Sequence, residues 1–134
     1  MGASERADLP ARSVAPWWHG RSDMNANKNK GSAYERSIVD YLRLCGFRVD
    51  RTRAGWSDDR GDIHGVEGVT FECKNHKTMA LSGWLTELAV ECGNAGTELG
   101  VVVHKKRGVT DPAEQYATLP FGMFVKLLKE AGYK

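Results

Sequence analysis

Apolar positions are scattered and without period at the start of the chain, and they become regular only after residue 31. Pro10, Pro16 and several glycines interrupt residues 1–31, and Trp17-Trp18 is the one apolar point, so this stretch is expected to be a flexible arm. Met24, ahead of the polar segment 25–30, is a candidate alternative start. From Ser32 the pattern changes. Ser32-Ala-Tyr-Glu35 reads as a capping box, and Tyr34, Ile38, Tyr41, Leu42 and Cys45 follow at helical spacing, which predicts a helix over 33–45 closed by Gly46. Residues 47–53 alternate, with Phe47, Val49 and Arg51 on one face, and predict a strand. A polar loop over 54–61 leads to two short strands, 62–64 and 69–74, joined by a tight connection holding Gly65 and Gly68.

The second half repeats the alternation of element types. Leu81, Leu85, Leu88, Ala89 and Cys92 form one stripe of a helix over 82–95. The almost continuous apolar run 99–103 predicts a strand covered on both faces. Thr118-Leu-Pro120 opens a last helix striped by Phe121, Phe124, Val125, Leu128 and Ala131, with Gly132 closing it. Helix, strand, hairpin, helix, strand, helix is the order of an α/β domain over 32–134, a central mixed sheet flanked by helices. The passage from strand 69–74 through the second helix to 99–103 is expected to be a parallel crossover.

Composition narrows the picture a little. A chain of 134 residues, 41% hydrophobic, suffices for one domain with its own core. No apolar run approaches the ~20 residues of a membrane span, and the N-terminus, with Glu5 and Asp8, lacks the apolar region of a secretory signal. Cys45, Cys73 and Cys92 lie in apolar stretches and read as small buried hydrophobes, without the paired spacing of a zinc site. Net charge is only +2, but basic residues cluster at Arg43, Arg48, Arg51, Arg53 and Arg60 and again at Lys105-Lys106-Arg107, two patches able to neutralise phosphates.

The hairpin carries the candidate chemistry. Side chains alternate faces along a strand, so Phe71 and Cys73 point one way while Thr70, Glu72 and Lys74 point the other. The apolar pair is expected to face the core and the acid and lysine to face outward. Pairing the hairpin about Glu67 sets Ile63 opposite Phe71 and Asp62 opposite Glu72. Directly opposed like charges repel across a sheet, and a divalent cation relieves that repulsion. Two carboxylates with the main-chain carbonyl of Cys73 suit Mg²⁺, which prefers oxygen ligands and keeps several waters. Such an ion polarises a phosphoryl oxygen and acidifies a bound water, while Lys74 holds that water or balances developing negative charge. These are the parts that phosphodiester hydrolysis needs.

The same residues resemble a known family. Gly61-Asp62-Ile63 followed by Phe71-Glu72-Cys73-Lys74 is similar to the PD-(D/E)XK nuclease superfamily. With Lys30-Gly31, Glu35-Arg36, Gly46-Phe47 and the arginine-bearing strand, the wider pattern over about 30–107 resembles archaeal-type Holliday junction resolvases and their phage-borne relatives. The resemblance implies a restriction-endonuclease-like fold and a Mg²⁺- or Mn²⁺-dependent endonuclease acting on DNA, in particular four-way junctions. It also implies a homodimer, and a cytoplasmic setting at the nucleoid or in a phage-infected cell. It makes Glu35, Asp62 and Glu72 the acidic residues of the metal site and Lys74 the catalytic lysine. Two departures stand out: Gly61 replaces the proline before the aspartate, and the serine that resolvases carry after the arginine strand has only a displaced counterpart, Ser57, or none.

Other residues have two readings each. Glu35 serves the metal or only the capping box. Arg51, Arg53, Trp56, Ser57, Lys77, Lys105, Lys106 and Arg107 are candidate DNA contacts or ordinary surface, with Trp56 able to stack on an unpaired base or cover a core edge. Trp84 reads as core or dimer interface, and Glu87 is expected on the metal side of the second helix. His64 is a surface histidine or an outer partner of Asp62. Phe121 and Phe124 are candidate interface residues, since paired cuts in a junction need two sites related by a two-fold axis. Two alternatives accompany the resolvase reading: another PD-(D/E)XK nuclease, whether restriction-like, nicking or single-strand-specific, and a catalytically silent DNA-binding module.

Overall fold

The computed structural model describes residues 16–52 and 60–134, with side chains described from residue 28 onward. The chain divides into two units, Met1–Lys30 and Gly31–Lys134. Along it run α1 (Pro16–Leu44), β1 (Asp50–Arg51), β2 (Ile63–His64), β3 (Val69–Lys74), α2 (Leu81–Ala95), β4 (Leu99–His104), β5 (Tyr116–Thr118) and α3 (Phe121–Glu130), with a 3₁₀ turn at Pro112–Glu114 before β5. The fold is α/β. Its five strands form one mixed sheet in the order β1-β2-β3-β4-β5. Only β3 and β4 are parallel, joined by the α2 crossover; the other neighbours are antiparallel. No described helix is long and apolar enough to cross a membrane.

The crossover and the hairpin register agree with the periodicity: Ile63 stands opposite Phe71, and β3 runs beside β4 from Val69↔Leu99 to Lys74↔His104. Four expectations need correction. The first helix begins at Pro16, so residues 16–31, expected to be an unstructured arm, are helical. Proline suits the first turn of a helix, and the polar run from Asn25 to Lys30 has no apolar period to announce one. Ser32 therefore lies inside a helix and caps nothing, and the capping box is absent. The strand expected over 47–53 narrows to Asp50–Arg51, because it pairs only with the two-residue β2. Cys45 is exposed, while Cys73 and Cys92 are free and buried as expected. The last helix starts at Phe121, and β5, too short to show a period, occupies the position just before it.

Two apolar clusters cover the two faces of the sheet. Tyr34, Ile38 and Val39 of α1 pack with Val49, Ile63 and Cys73. Trp84, Leu88 and Cys92 of α2 pack with Val102 on the opposite face. Along β4 the fully buried positions alternate as Gly100, Val102 and His104, so the strand is covered closely by α2 and only partly on its other face. Gly100 permits this closeness. A Cβ there would lie 2.5 Å from Cys92 Sγ and 2.9 Å from Leu88 Cδ1, both on α2. Replacing Gly100 with alanine is therefore expected to lower stability by about 1–3 kcal/mol, the usual cost of overpacking, read from the urea midpoint at constant m-value.

Candidate metal centre

The hairpin positions the candidate residues from its backbone outward. Gly61 has φ +96, a region closed to proline, and a Cβ there would come within 2.6 Å of Phe71 O. The glycine thus lets the chain enter β2 hard against β3. Asp62 N–H then donates to Phe71 O at 2.8 Å, and Cys73 N–H donates to Asp62 Oδ2 at 2.8 Å. Asp62 therefore lies beside Glu72 and Cys73, as the mirrored pairing predicts. Backbone groups alternate edges along a strand. Phe71 O and Cys73 N–H face β2, so the Cys73 carbonyl opens toward the same edge, beside the Asp62 carboxylate. Lys74 O faces the other edge and accepts from Lys105 N–H at 3.0 Å.

The acid and the lysine do not face solvent, which corrects the expectation of an outward face. Residues 70, 72 and 74 lie beneath α2, and Glu72 is only 5% exposed. Lys74 Nζ is held between Glu72 Oε2 at 3.0 Å and Glu87 Oε1 at 2.8 Å. Glu87 thus reaches the site from α2, on the side where helical spacing places it. Glu72 Oε1 is buried and accepts no hydrogen bond. A second acid from α2, Glu91, is 2% exposed. Sequence reasoning missed it; the signal was a carboxylate one turn beyond Glu87 on a face otherwise made by Leu88 and Cys92.

Electrostatics follow from the burial. Asp62 is pushed up to about 7, first by loss of water and then by the Glu72 carboxylate, with the Cys73 N–H and Lys74 pulling the other way. The two acids cannot both ionise cheaply in this setting. Glu35 is also raised, by burial and then by the charge of Asp62, against the opposing pull of Arg51. Burial alone would lower Lys74, but hydrogen bonds to Glu87 and Glu72 outweigh it and keep the group an ammonium. Burial raises the Cys73 thiol well above its usual range, so its sulfur stays protonated. The Asp62 and Glu72 carboxylates and the Cys73 carbonyl, faced by the Lys74 ammonium and the Cys73 N–H, are a set of oxygen donors of the kind a hard divalent cation prefers.

The remaining candidates divide. Glu35 accepts from Arg51 Nε at 3.1 Å, and Arg51 Nη2 donates to Ser32 Oγ at 3.1 Å. Arg51 is thereby tied to α1, and Glu35 is aligned by an arginine in place of a cap. Lys77 and Arg107 are exposed. Lys105 Nζ donates to Val109 O. Lys106 lies 6.0 Å over the Tyr116 ring while its N–H donates to Gln115 Oε1 at 2.8 Å. Arg53, Trp56 and Ser57 lie outside the described residues. Trp84 is core, its ring tilted against those of His76 and His104 at centroid distances of 5.7 and 5.5 Å. His104 Nε2 lies 2.8 Å from Thr118 Oγ1, and burial lowers its pKa and keeps the ring neutral. His64 is exposed.

Comparison with protein-family models, with curated proteins and with solved structures found no match for this chain.

A pH dependence follows from Asp62. Its folded-state value lies above the unfolded 3.8, so its contribution to stability is complete below about pH 4 and is lost as pH rises through about 7. In metal-free buffer Asp62→Asn is therefore expected to be more stable than wild type by roughly 1–3 kcal/mol at pH 8. The difference should vanish near pH 4, as measured by denaturant titration in EDTA.

Proposed function

We propose that this protein is a Mg²⁺- or Mn²⁺-dependent endodeoxyribonuclease of the PD-(D/E)XK type, with a restriction-endonuclease-like fold, that resolves four-way DNA junctions. The observation that carries the reading is the juxtaposition of Asp62 and Glu72 across the β2–β3 hairpin, with Lys74 ammonium on the same strand. Bound there, the cation supplies Lewis acidity and an acidified water. Asp62, Glu72 and the Cys73 carbonyl would hold it, and Glu35, which feels the charge of Asp62, would be the further acid. Lys74, fixed by Glu72 and Glu87, presents a permanent positive charge to a phosphate or to the attacking water. Enclosure under α2 keeps these charges poorly screened and therefore strong.

DNA reaches this reading through the basic segments. Lys105-Lys106-Arg107 continues β4 next to Lys74, so phosphates bound there would lie at the end of the sheet that carries the site. A groove lined by Arg36, Arg43 and Arg51 supplies further positive charge, part of it already engaged by Asp40, Asp50 and Glu35. The tying of Arg51 to Glu35 and Ser32 favours a second reading, a PD-(D/E)XK nuclease without junction preference, because it removes one contact that a junction would use. On the resolvase reading two copies pair through α3, whose Phe121 is 77% exposed, with Phe124 and Leu127 beside it.

The deciding experiment is cleavage of a labelled four-way junction beside matched duplex, flap and single-stranded DNA. Magnesium-dependent, paired symmetric cuts in the junction are expected. Asp62→Ala, Glu72→Ala and Lys74→Ala should each lower the rate at least about 100-fold, in line with the loss of one electrostatic group from an active site. Equal cutting of all substrates selects the second reading, and junction binding without cleavage under either metal selects a silent binding module. Light scattering at micromolar concentration should give a dimer, converted to monomer by Phe121→Glu with Phe124→Glu.

A further inference from the structure

The helix that covers the hairpin brings two more carboxylates onto Glu72. Glu87 and Glu91 are one helical turn apart and share a face of α2. One oxygen from each of Glu72, Glu87 and Glu91 lies within 4.8 Å of one from the other two. Like charges at this spacing weaken a helix, and the burial of Glu91 adds a desolvation cost. Glu91 lies between Val90 and Cys92 and is only 2% exposed.

A second observation comes from Glu72 itself. Its Oε2 is taken by the Lys74 ammonium at 3.0 Å, yet Oε1 is buried and receives no hydrogen bond. A buried carboxylate oxygen without a donor is stabilised by a cation in the donor's place. We infer that Glu72, Glu87 and Glu91 form a second divalent-cation site, with Glu72 shared between this site and the one centred on Asp62. The inference goes beyond the nuclease reading and has only Glu72 in common with it.

The dimensions select a hard cation. Oxygens on opposite sides of a six-coordinate Mg²⁺ lie about 4.2 Å apart, and those across Ca²⁺ about 4.6–5.2 Å. Three oxygens spanning no more than 4.8 Å therefore accept Ca²⁺ nearly as they stand and Mg²⁺ or Mn²⁺ after a small closure. All donors are carboxylates, which disfavours softer ions. Lys74 flanks the same space, since Nζ is 2.8 Å from Glu87 Oε1. Ammonium and metal repel each other there, so the lysine weakens the second site.

The test needs no DNA and no turnover. Full-length protein is titrated with Mn²⁺ at neutral pH, and free Mn²⁺ is read by electron paramagnetic resonance. Wild type is expected to take up two ions per chain. Glu91→Gln and Glu87→Gln should each take up one, Asp62→Asn should lose the other, and Lys74→Met should tighten the weaker site about 5- to 10-fold. Thermal melting identifies any variant that does not fold, and Glu87→Gln, on the half-exposed rim, carries the test if Glu91→Gln fails. Uptake of one ion, unchanged in Glu87→Gln and Glu91→Gln, overturns the inference and leaves the Asp62–Glu72 site standing. One ion lost in Glu91→Gln and kept in Asp62→Asn upholds the triad and overturns the Asp62-centred site. Uptake of no ion overturns both.

Discussion

The structure is organised around negative charge held out of water. Asp62 and Glu72 face each other across a hairpin, and α2 closes over them with Glu87 and Glu91, while one ammonium, Lys74, is the cation joined to Glu72 and Glu87. Such an arrangement is costly for a fold that needs only to pack. The sheet accepts it because the apolar contribution comes from elsewhere. Ile63 and Cys73 anchor one face to α1, and Val102 anchors the other to Leu88 and Cys92.

Lys74 is the internal counter-ion of these acids, and its hydrogen bonds to Glu87 and Glu72 keep it protonated despite burial. On the proposed reading a bound cation would share those carboxylates and leave the ammonium available to an incoming anion. The arrangement is more enclosed than a hairpin with a wet outer face, so each charge here acts through less screening.

Much of this was legible in the chain. The hairpin register follows from placing Ile63 and Phe71 on one side, and that alone puts Asp62 against Glu72. The α2 crossover follows from an apolar stripe between two strand-like runs. What was not legible has physical causes. Residues 16–31 lack an apolar stripe, and a polar helix leaves no periodic trace. Ser32 and Glu35 have the spacing of a cap, but both instead meet Arg51, a partner remote in sequence. The depth of Glu72 could not be read from strand alternation, because alternation gives a face and not what covers it. Glu91 was hidden for the same reason: helical spacing places it one turn beyond Glu87 but does not say what covers it.

The bond from Lys105 N–H to Lys74 O has a mechanical meaning. It welds the first residue of the basic turn to the backbone of the lysine beneath α2, in line with the ladder that already joins β3 to β4. The turn thereby starts at a fixed distance from the lysine. On the proposed reading, a phosphate bound at the start of the turn would be spaced from the buried charges by the geometry of the sheet.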